Sequence, residues 1–256
     1  PIVNLLQVEK DERVNAVIQI SREENSKYLL FATEAGVVKK TLISEFDNIR
    51  NSGKICISLR ENDKLIGVKK TTGNDLVLLG SDSGRMVKFN EDEIRVMGRT
   101  ASGVRGISLD GSKCICSEIV KEEDTILLVT EKGYGKQTKV SEYRQTRRGS
   151  KGVKAMNITE KNGNLVSVKI VHEGKELVIM TNSGMTMRMP LDQISVLGRV
   201  TQGLRLINLK DNQNVSTISL VDKPEEETSE ENIEQSENVA QNELEVAENI
   251  QNTEAE

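Results

Sequence analysis

The 256-residue chain has no tryptophan, one histidine, and three each of cysteine, proline, tyrosine and phenylalanine. Each scarcity closes off a class of function. Cys56, Cys114 and Cys116 make neither a disulfide framework nor a zinc set. Cys114 and Cys116 lie in alternating apolar sequence and read as packing residues. His172, beside Glu173 and Gly174, has no Cys or carboxylate cluster around it and reads as a loop or strand-end residue. Ser-His-Asp, Cys-His and phosphate-loop patterns are missing, so the chain is expected to do no bond chemistry alone, with no metal or cofactor in this segment. No apolar run approaches the roughly 20 residues that cross a membrane. The first residues, Pro1–Leu6, lack the basic lead of a signal peptide and an initiator Met. The expectation is an internal piece of a cytoplasmic protein. Aromatics at 2% argue against single-strand nucleic-acid binding, which relies on stacking platforms.

The net charge of −5 averages two opposite parts. From Asp222 to Glu256, 13 acids face one base, Lys223, for a charge of −12. Residues 1–221 hold 34 Lys and Arg against 27 Asp and Glu, or +7. A basic body joined to an acidic tail is a nucleic-acid signal. The tail has little apolar or aromatic weight and is expected to be disordered, either as a solubilising segment or as a competitor for the basic surface.

The body repeats. Two apolar residues, Ser or Thr, two further residues and Gly recur as Phe31-Ala32-Thr33…Gly36, Leu79-Gly80-Ser81…Gly84, Leu128-Val129-Thr130…Gly133 and Ile179-Met180-Thr181…Gly184, with glycines 48, 49 and 51 residues apart. A β-rich run ending in a polar turn with Gly predicts a hairpin. Nine residues after each glycine comes Glu or Gln followed by an aromatic or Ile: Glu45-Phe46, Glu93-Ile94, Glu142-Tyr143, Gln193-Ile194. A second glycine recurs at Gly53, Gly103, Gly152 and Gly203, followed six residues later by Leu59, Leu109, Ile158 and Leu209. An alternating strand such as Leu165–Val168 closes each unit. Four short strands per unit predict an all-β fold of stacked propeller-like blades, because one blade cannot bury both faces. The absence of Trp disfavours a WD-type propeller. We expect a partial blade over 1–20, four complete four-stranded blades over about 21–70, 71–121, 122–172 and 173–221, and the tail over 222–256.

Bases recur with the same period. Lys39, Lys40, Lys88, Lys136 and Arg188 follow the first glycine by three or four residues; Arg50, Arg99, Arg147, Arg148 and Arg199 precede or flank the second; Lys54, Arg105, Lys154 and Arg205 follow it. Equivalent positions in stacked repeats fall on one rim, so these are expected to form a basic stripe for duplex DNA. DNA carries a charge per roughly 1.7 Å of axis, and such a stripe releases counterions along its length. Bending 20–30 base pairs costs on the order of 1–6 kcal/mol, which many phosphate contacts offset.

Several stretches resemble the C-terminal domain of the bacterial DNA gyrase A protein over residues 1 to about 221: PIVNLLQVEKDER (Pro1–Arg13), GVVKKTLISEF (Gly36–Phe46), LIGV (Leu65–Val68), MGRTASGVRGI (Met97–Ile107), GYGK (Gly133–Lys136) and ISVLGRVTQG (Ile194–Gly203). The resemblance implies a β-pinwheel, a propeller relative whose blades borrow strands from neighbours. It implies DNA wrapped with positive handedness on the outer rim in support of ATP-driven negative supercoiling by a type II topoisomerase. It further implies partners in the gyrase A N-terminal region and the gyrase B protein of an A2B2 assembly, ATP and Mg held elsewhere in that assembly, and a bacterial cytoplasmic, nucleoid-associated location. The segment itself would be monomeric, non-catalytic and without the active-site tyrosine; Tyr28, Tyr134 and Tyr143 read as structural or rim residues. The family motif Gln-Arg-Arg-Gly-Gly-Lys-Gly has its nearest copy at Thr146-Arg147-Arg148-Gly149-Ser150-Lys151-Gly152, with Thr146 and Ser150 departing from it. That loop, Lys151 included, is expected to contact DNA. Two other readings stay open: the corresponding domain of topoisomerase IV, which binds DNA without strong wrapping, and a propeller serving as a protein-interaction scaffold.

Overall fold

The computed structural model describes residues 14, 17–20, 26–47, 53–210 and 212–223. The chain divides into two units, Pro1–Val221 and Asp222–Glu256. Most of the expected partial blade, the Pro1–Arg13 stretch and nearly all of the expected tail lie outside the described residues.

Each repeat begins with a hairpin: β1 (Tyr28–Thr33) with β2 (Val37–Leu42), β4 (Leu76–Ser81) with β5 (Arg85–Asn90), β8 (Thr125–Thr130) with β9 (Tyr134–Lys139), and β12 (Lys175–Thr181) with β13 (Thr186–Pro190). The Ser or Thr of the repeat signature closes the turn. Its hydroxyl accepts from the first residue past the glycine: Val37 N to Thr33 Oγ1 at 3.3 Å, Arg85 N to Ser81 Oγ at 3.2 Å, Tyr134 N to Thr130 Oγ1 at 3.3 Å and Met185 N to Thr181 Oγ1 at 3.1 Å. A 3-10 turn follows each hairpin, and the aromatic or Ile of the signature is buried beside it: Phe46, Ile94, Tyr143 and Ile194. Then come a two-residue strand (β6, Val104–Arg105; β10, Val153–Lys154; β14, Leu204–Arg205) and a long closing strand (β3, Leu65–Thr71; β7, Cys114–Val120; β11, Leu165–Ile170; β15, Val215–Asp222).

The short strand does not join its own repeat. The sheets run β3-β1-β2-β6, β10-β5-β4-β7, β11-β8-β9-β14 and β13-β12-β15, so β6, β10 and β14 each complete the sheet of the repeat before them. A repeat therefore supplies three strands to its own blade and two residues to its neighbour. The second glycine makes this exchange possible. Gly152 has φ +66°, and a Cβ there would lie 2.1 Å from the Met86 carbonyl oxygen of the receiving strand. The glycine of the hairpin turn meets the same constraint from the other side: at Gly84 (φ +76°) a Cβ would lie 2.8 Å from Met156 O.

The strands of the first three hairpins are covered on both faces, which is why they read as apolar blocks instead of strict alternation. The core lies between blades. Leu30 and Val38 pack with Leu79, Phe89 and Ile107; Leu78 and Met86 with Leu128, Tyr143 and Met156; Leu127 and Val129 with Leu177, Ile179 and Ile207. The closing strands line a shared cavity, where Glu118 of β7 faces Lys69 of β3 and Lys169 of β11.

Candidate nucleic-acid interface

Four of the five bases in the first periodic row are not on the surface. Lys39, Lys40, Lys88 and Lys136 are 0%, 5%, 2% and 0% exposed, which corrects their expected place on the rim. β2, β5 and β9 are sandwiched between blades, so a lysine there must find acceptors inside. The ammonium groups cross to the next blade. Lys40 Nζ donates to Glu91 O at 2.8 Å, and Lys88 Nζ to Val140 O at 3.2 Å and to the Glu122 carboxylate at 2.7 and 2.8 Å. The third blade has Gln137 at this position, donating to Leu191 O at 2.6 Å. The carbonyls of Glu91, Val140 and Leu191 all open the 3-10 turn of the following blade. One residue earlier, Lys39 Nζ donates to Cys56 O and Arg99 O, and Lys136 Nζ to Gly198 O at 2.7 Å and Arg199 O at 2.6 Å. Burial lowers both ammonium pKa values to about 8, opposed by Cys56 at Lys39 and by Glu142 at Lys136. These lysines are staples between blades.

The accessible cations come instead from the loops between each 3-10 turn and short strand, and a repeated clasp fixes them. Arg148 Nη1 donates to Arg105 O at 2.5 Å, Arg199 Nη1 to Lys154 O at 2.9 Å and Arg99 Nη1 to Ile55 O at 3.4 Å. In each case an arginine holds the second residue after the previous repeat's second glycine. The signature Glu caps the same loop: Glu93 Oε2 accepts from Arg148 N at 2.9 Å, Glu142 Oε2 from Arg199 N at 3.2 Å, and Glu45 Oε2 lies 3.9 Å from Arg99 Nε. The clasp brings exposed Arg105 beside Arg147 and Arg148, and exposed Lys154 beside Arg199.

In the loop Thr146–Gly152, Thr146 N donates to Lys88 O at 2.7 Å, Gly149 N to Gly106 O at 2.7 Å, and Ser108 N to Ser150 O at 2.9 Å. Thr146 and Ser150, the two departures from the family motif, bond to each other through their hydroxyls at 3.2 Å. Arg147 and Lys151 are exposed, and Lys151 pairs with Asp110 at 2.7 Å.

Three expected residues fall elsewhere. Lys54 is partly buried and donates to the Asp47 and Glu45 carbonyls. It stands one residue after its glycine, where Arg105, Lys154 and Arg205 stand two after, and the position two after is taken here by exposed Ile55 (67%). Arg188 lies in β13 at the staple position, exposed and paired with Glu176. Arg50 is outside the described residues. Arg95 and Arg144 escape the periodic reading of the sequence. Both are exposed and directly follow the buried Ile94 and Tyr143, a spacing legible once that anchor is recognised. Tyr143 is fully buried and Tyr134 is 7% exposed.

Three sheets that each take a strand from the following repeat, with basic loops at their junctions, define a β-propeller of the pinwheel kind. Residues 27–72, 75–115, 124–172 and 175–222 match the family described as DNA gyrase C-terminal domain, beta-propeller. The chain belongs to that family. It is 42% identical over 230 residues to the DNA gyrase A protein of Staphylococcus epidermidis (strain ATCC 12228), covering 88% of this chain and 26% of that protein. It is 42% identical over 236 residues to the gyrase A protein of Staphylococcus aureus (strain NCTC 8325), covering 90% and 27%. The chain thus spans about a quarter of the length of these curated relatives. Among solved structures, the C-terminal domain of DNA topoisomerase IV superposes with TM-score 0.79 at 24% identity, covering 86% of this chain and 70% of that one. The DNA gyrase A C-terminal domain gives 0.74 at 24%, covering 86% and 74%.

Proposed function

We propose that the chain binds duplex DNA along its clasped basic loops and wraps it with positive handedness, supporting ATP-dependent negative supercoiling by a gyrase A2B2 assembly. ATP and Mg act elsewhere in that assembly, and this segment is non-catalytic, monomeric, and works in the bacterial cytoplasm at the nucleoid. The observation that carries the reading is the repeated clasp. It fixes Arg105 with Arg147 and Arg148 at one junction and Lys154 with Arg199 at the next, on backbone that is itself hydrogen-bonded. Cations held at successive blades suit a phosphate backbone that curves past them, while the scarcity of aromatics argues against base stacking. The 42% identity to gyrase A over most of the chain supports the gyrase reading, while the solved domains of gyrase A and of topoisomerase IV both share the fold, each at 24% identity.

Closed circular DNA relaxed in the presence of the chain should retain positive supercoils. Unchanged linking number with measurable affinity would reduce the function to plain binding. A log affinity that hardly varies with log salt would favour the protein-interaction scaffold.

A further inference from the structure

At the junction of the third and fourth blades, the turn of the β8–β9 hairpin meets the turns leading into β11 and β15 around a cavity of about 350 Å³. Lys132, Lys161, Lys210 and Arg205 converge on it, and Tyr134 forms its floor. The Tyr134 hydroxyl accepts from Arg205 Nη2 at 3.0 Å and Nε at 3.3 Å, while Lys161 Nζ stands 5.7 Å from the ring centroid. Arg205 also reaches Asn208 Oδ1 at 3.2 Å, and Lys132 Nζ donates to the Glu160 carbonyl. None of the four cations is in an ion pair among the described residues, and no described carboxylate lines the cavity.

The same place in the fold at the first junction is an internal control. There the β1–β2 turn meets the turns leading into β3 and β7, and the lining includes Glu34, Glu61 and Asp63 beside Arg60, Lys64 and Lys113. Lys113 pairs with Glu34 at 2.8 Å, and Asp63 Oδ1 accepts the backbone N–H of Ala35 and of Lys64. The repeat therefore does not impose a basic cavity; the substitutions at one junction do. Four cations around a concave site focus positive potential, and a group with several acceptor oxygens satisfies their remaining donors.

We propose that this cavity binds a phosphoryl group. Arg205 belongs to the same periodic position as Arg105 and Lys154, so one source is a DNA backbone phosphate reached where the basic loops end, and that source rests on the DNA-binding reading above. The other source is a free polyphosphate, which does not.

The test is calorimetric titration of pyrophosphate into the chain and into Lys161→Ala/Lys210→Ala, both exposed turn residues, at low salt. Binding should weaken at least about tenfold, as expected when two charge-assisted contacts are lost. In parallel, the salt dependence of duplex affinity is measured for both proteins and for Arg147→Ala/Lys154→Ala. If DNA supplies the phosphate, the cavity variant lowers the slope of log affinity against log salt by about 0.9 per lost contact. Weakened pyrophosphate binding with an unchanged slope assigns the site to a free phosphoryl ligand. If neither pyrophosphate affinity nor slope differs between wild type and cavity variant, the proposal is overturned. An unchanged slope in the loop variant would count against the DNA reading alone.

Discussion

Arg148 reaches back 43 residues to hold the carbonyl of Arg105, in the short strand of the preceding repeat. One cation thereby fixes the backbone beneath another. Arg148→Ala should lower duplex affinity by more than one phosphate contact, because Arg105 loses its support as well as its neighbour. Arg148→Lys keeps the charge but loses the planar fork, and should recover only part of the affinity. Equal affinities for the Lys variant and wild type would show that charge alone matters there.

Two lysines of the same periodic sequence should behave in opposite ways. Lys154 is exposed, so Lys154→Ala should reduce the salt slope by about 0.9 with little change in stability. Lys88 is buried against Glu122 and Val140 O, so Lys88→Ala should cost about 1–3 kcal/mol of stability and leave the slope of the folded protein unchanged. Urea denaturation alongside salt titrations of DNA binding reads both.

The staple at Lys136 should leave a pH signature. Its pKa is about 8 in the fold against an ordinary lysine value of 10.5, so between those values the unfolded chain binds more protons than the native one. Stability then rises with pH across that window, by at most about 1.4 kcal/mol per pH unit for one such group. Below pH 8 the penalty of the buried charge is fully present and flat. The stability of wild type relative to Lys136→Met should accordingly climb from pH 8 to 10.5; a constant difference would mean the ammonium is not desolvated.

Gly152 and Gly98 form a matched pair. Gly152→Ala places a Cβ 2.1 Å from Met86 O at positive φ, and should displace β10 from its host sheet. The expected loss exceeds about 2 kcal/mol, or at least about 4 °C in melting midpoint for a domain of this size. At Gly98 nothing lies within 4 Å of the added atom and Ala should be nearly neutral.

The hairpins, the buried Phe46-Ile94-Tyr143-Ile194 series and the blade stacking are legible in the sequence because turn chemistry and apolar spacing are local signals. The lysine staples are not. A base in an apolar strand reads as a surface residue by default, and only the stacking of a second blade over β2, β5 and β9 shows that both faces are covered. Val37-Val38 ahead of Lys39-Lys40, apolar without alternation, is the local hint of that double cover. The clasp is half legible: Arg99, Arg148 and Arg199 stand out as periodic. Their acceptors are main-chain carbonyls from another repeat, which carry no trace in residue type. Arg105 and Arg205 share one periodic position, yet Arg205 turns to the Tyr134 hydroxyl because only the third hairpin carries a tyrosine there.

Since β6, β10 and β14 are lent backwards, no repeat can be taken out without making a new seam. Removal of the third repeat would leave the Met86 edge, which receives Val153–Lys154, facing Leu204–Arg205, which belongs against Tyr134 and Gly135. Moving the joints along the chain does not avoid this, because every excision of one repeat length takes a receiver and a donor from different sheets. Shuffled versions of such domains should therefore need each donor dipeptide refitted to its new host edge.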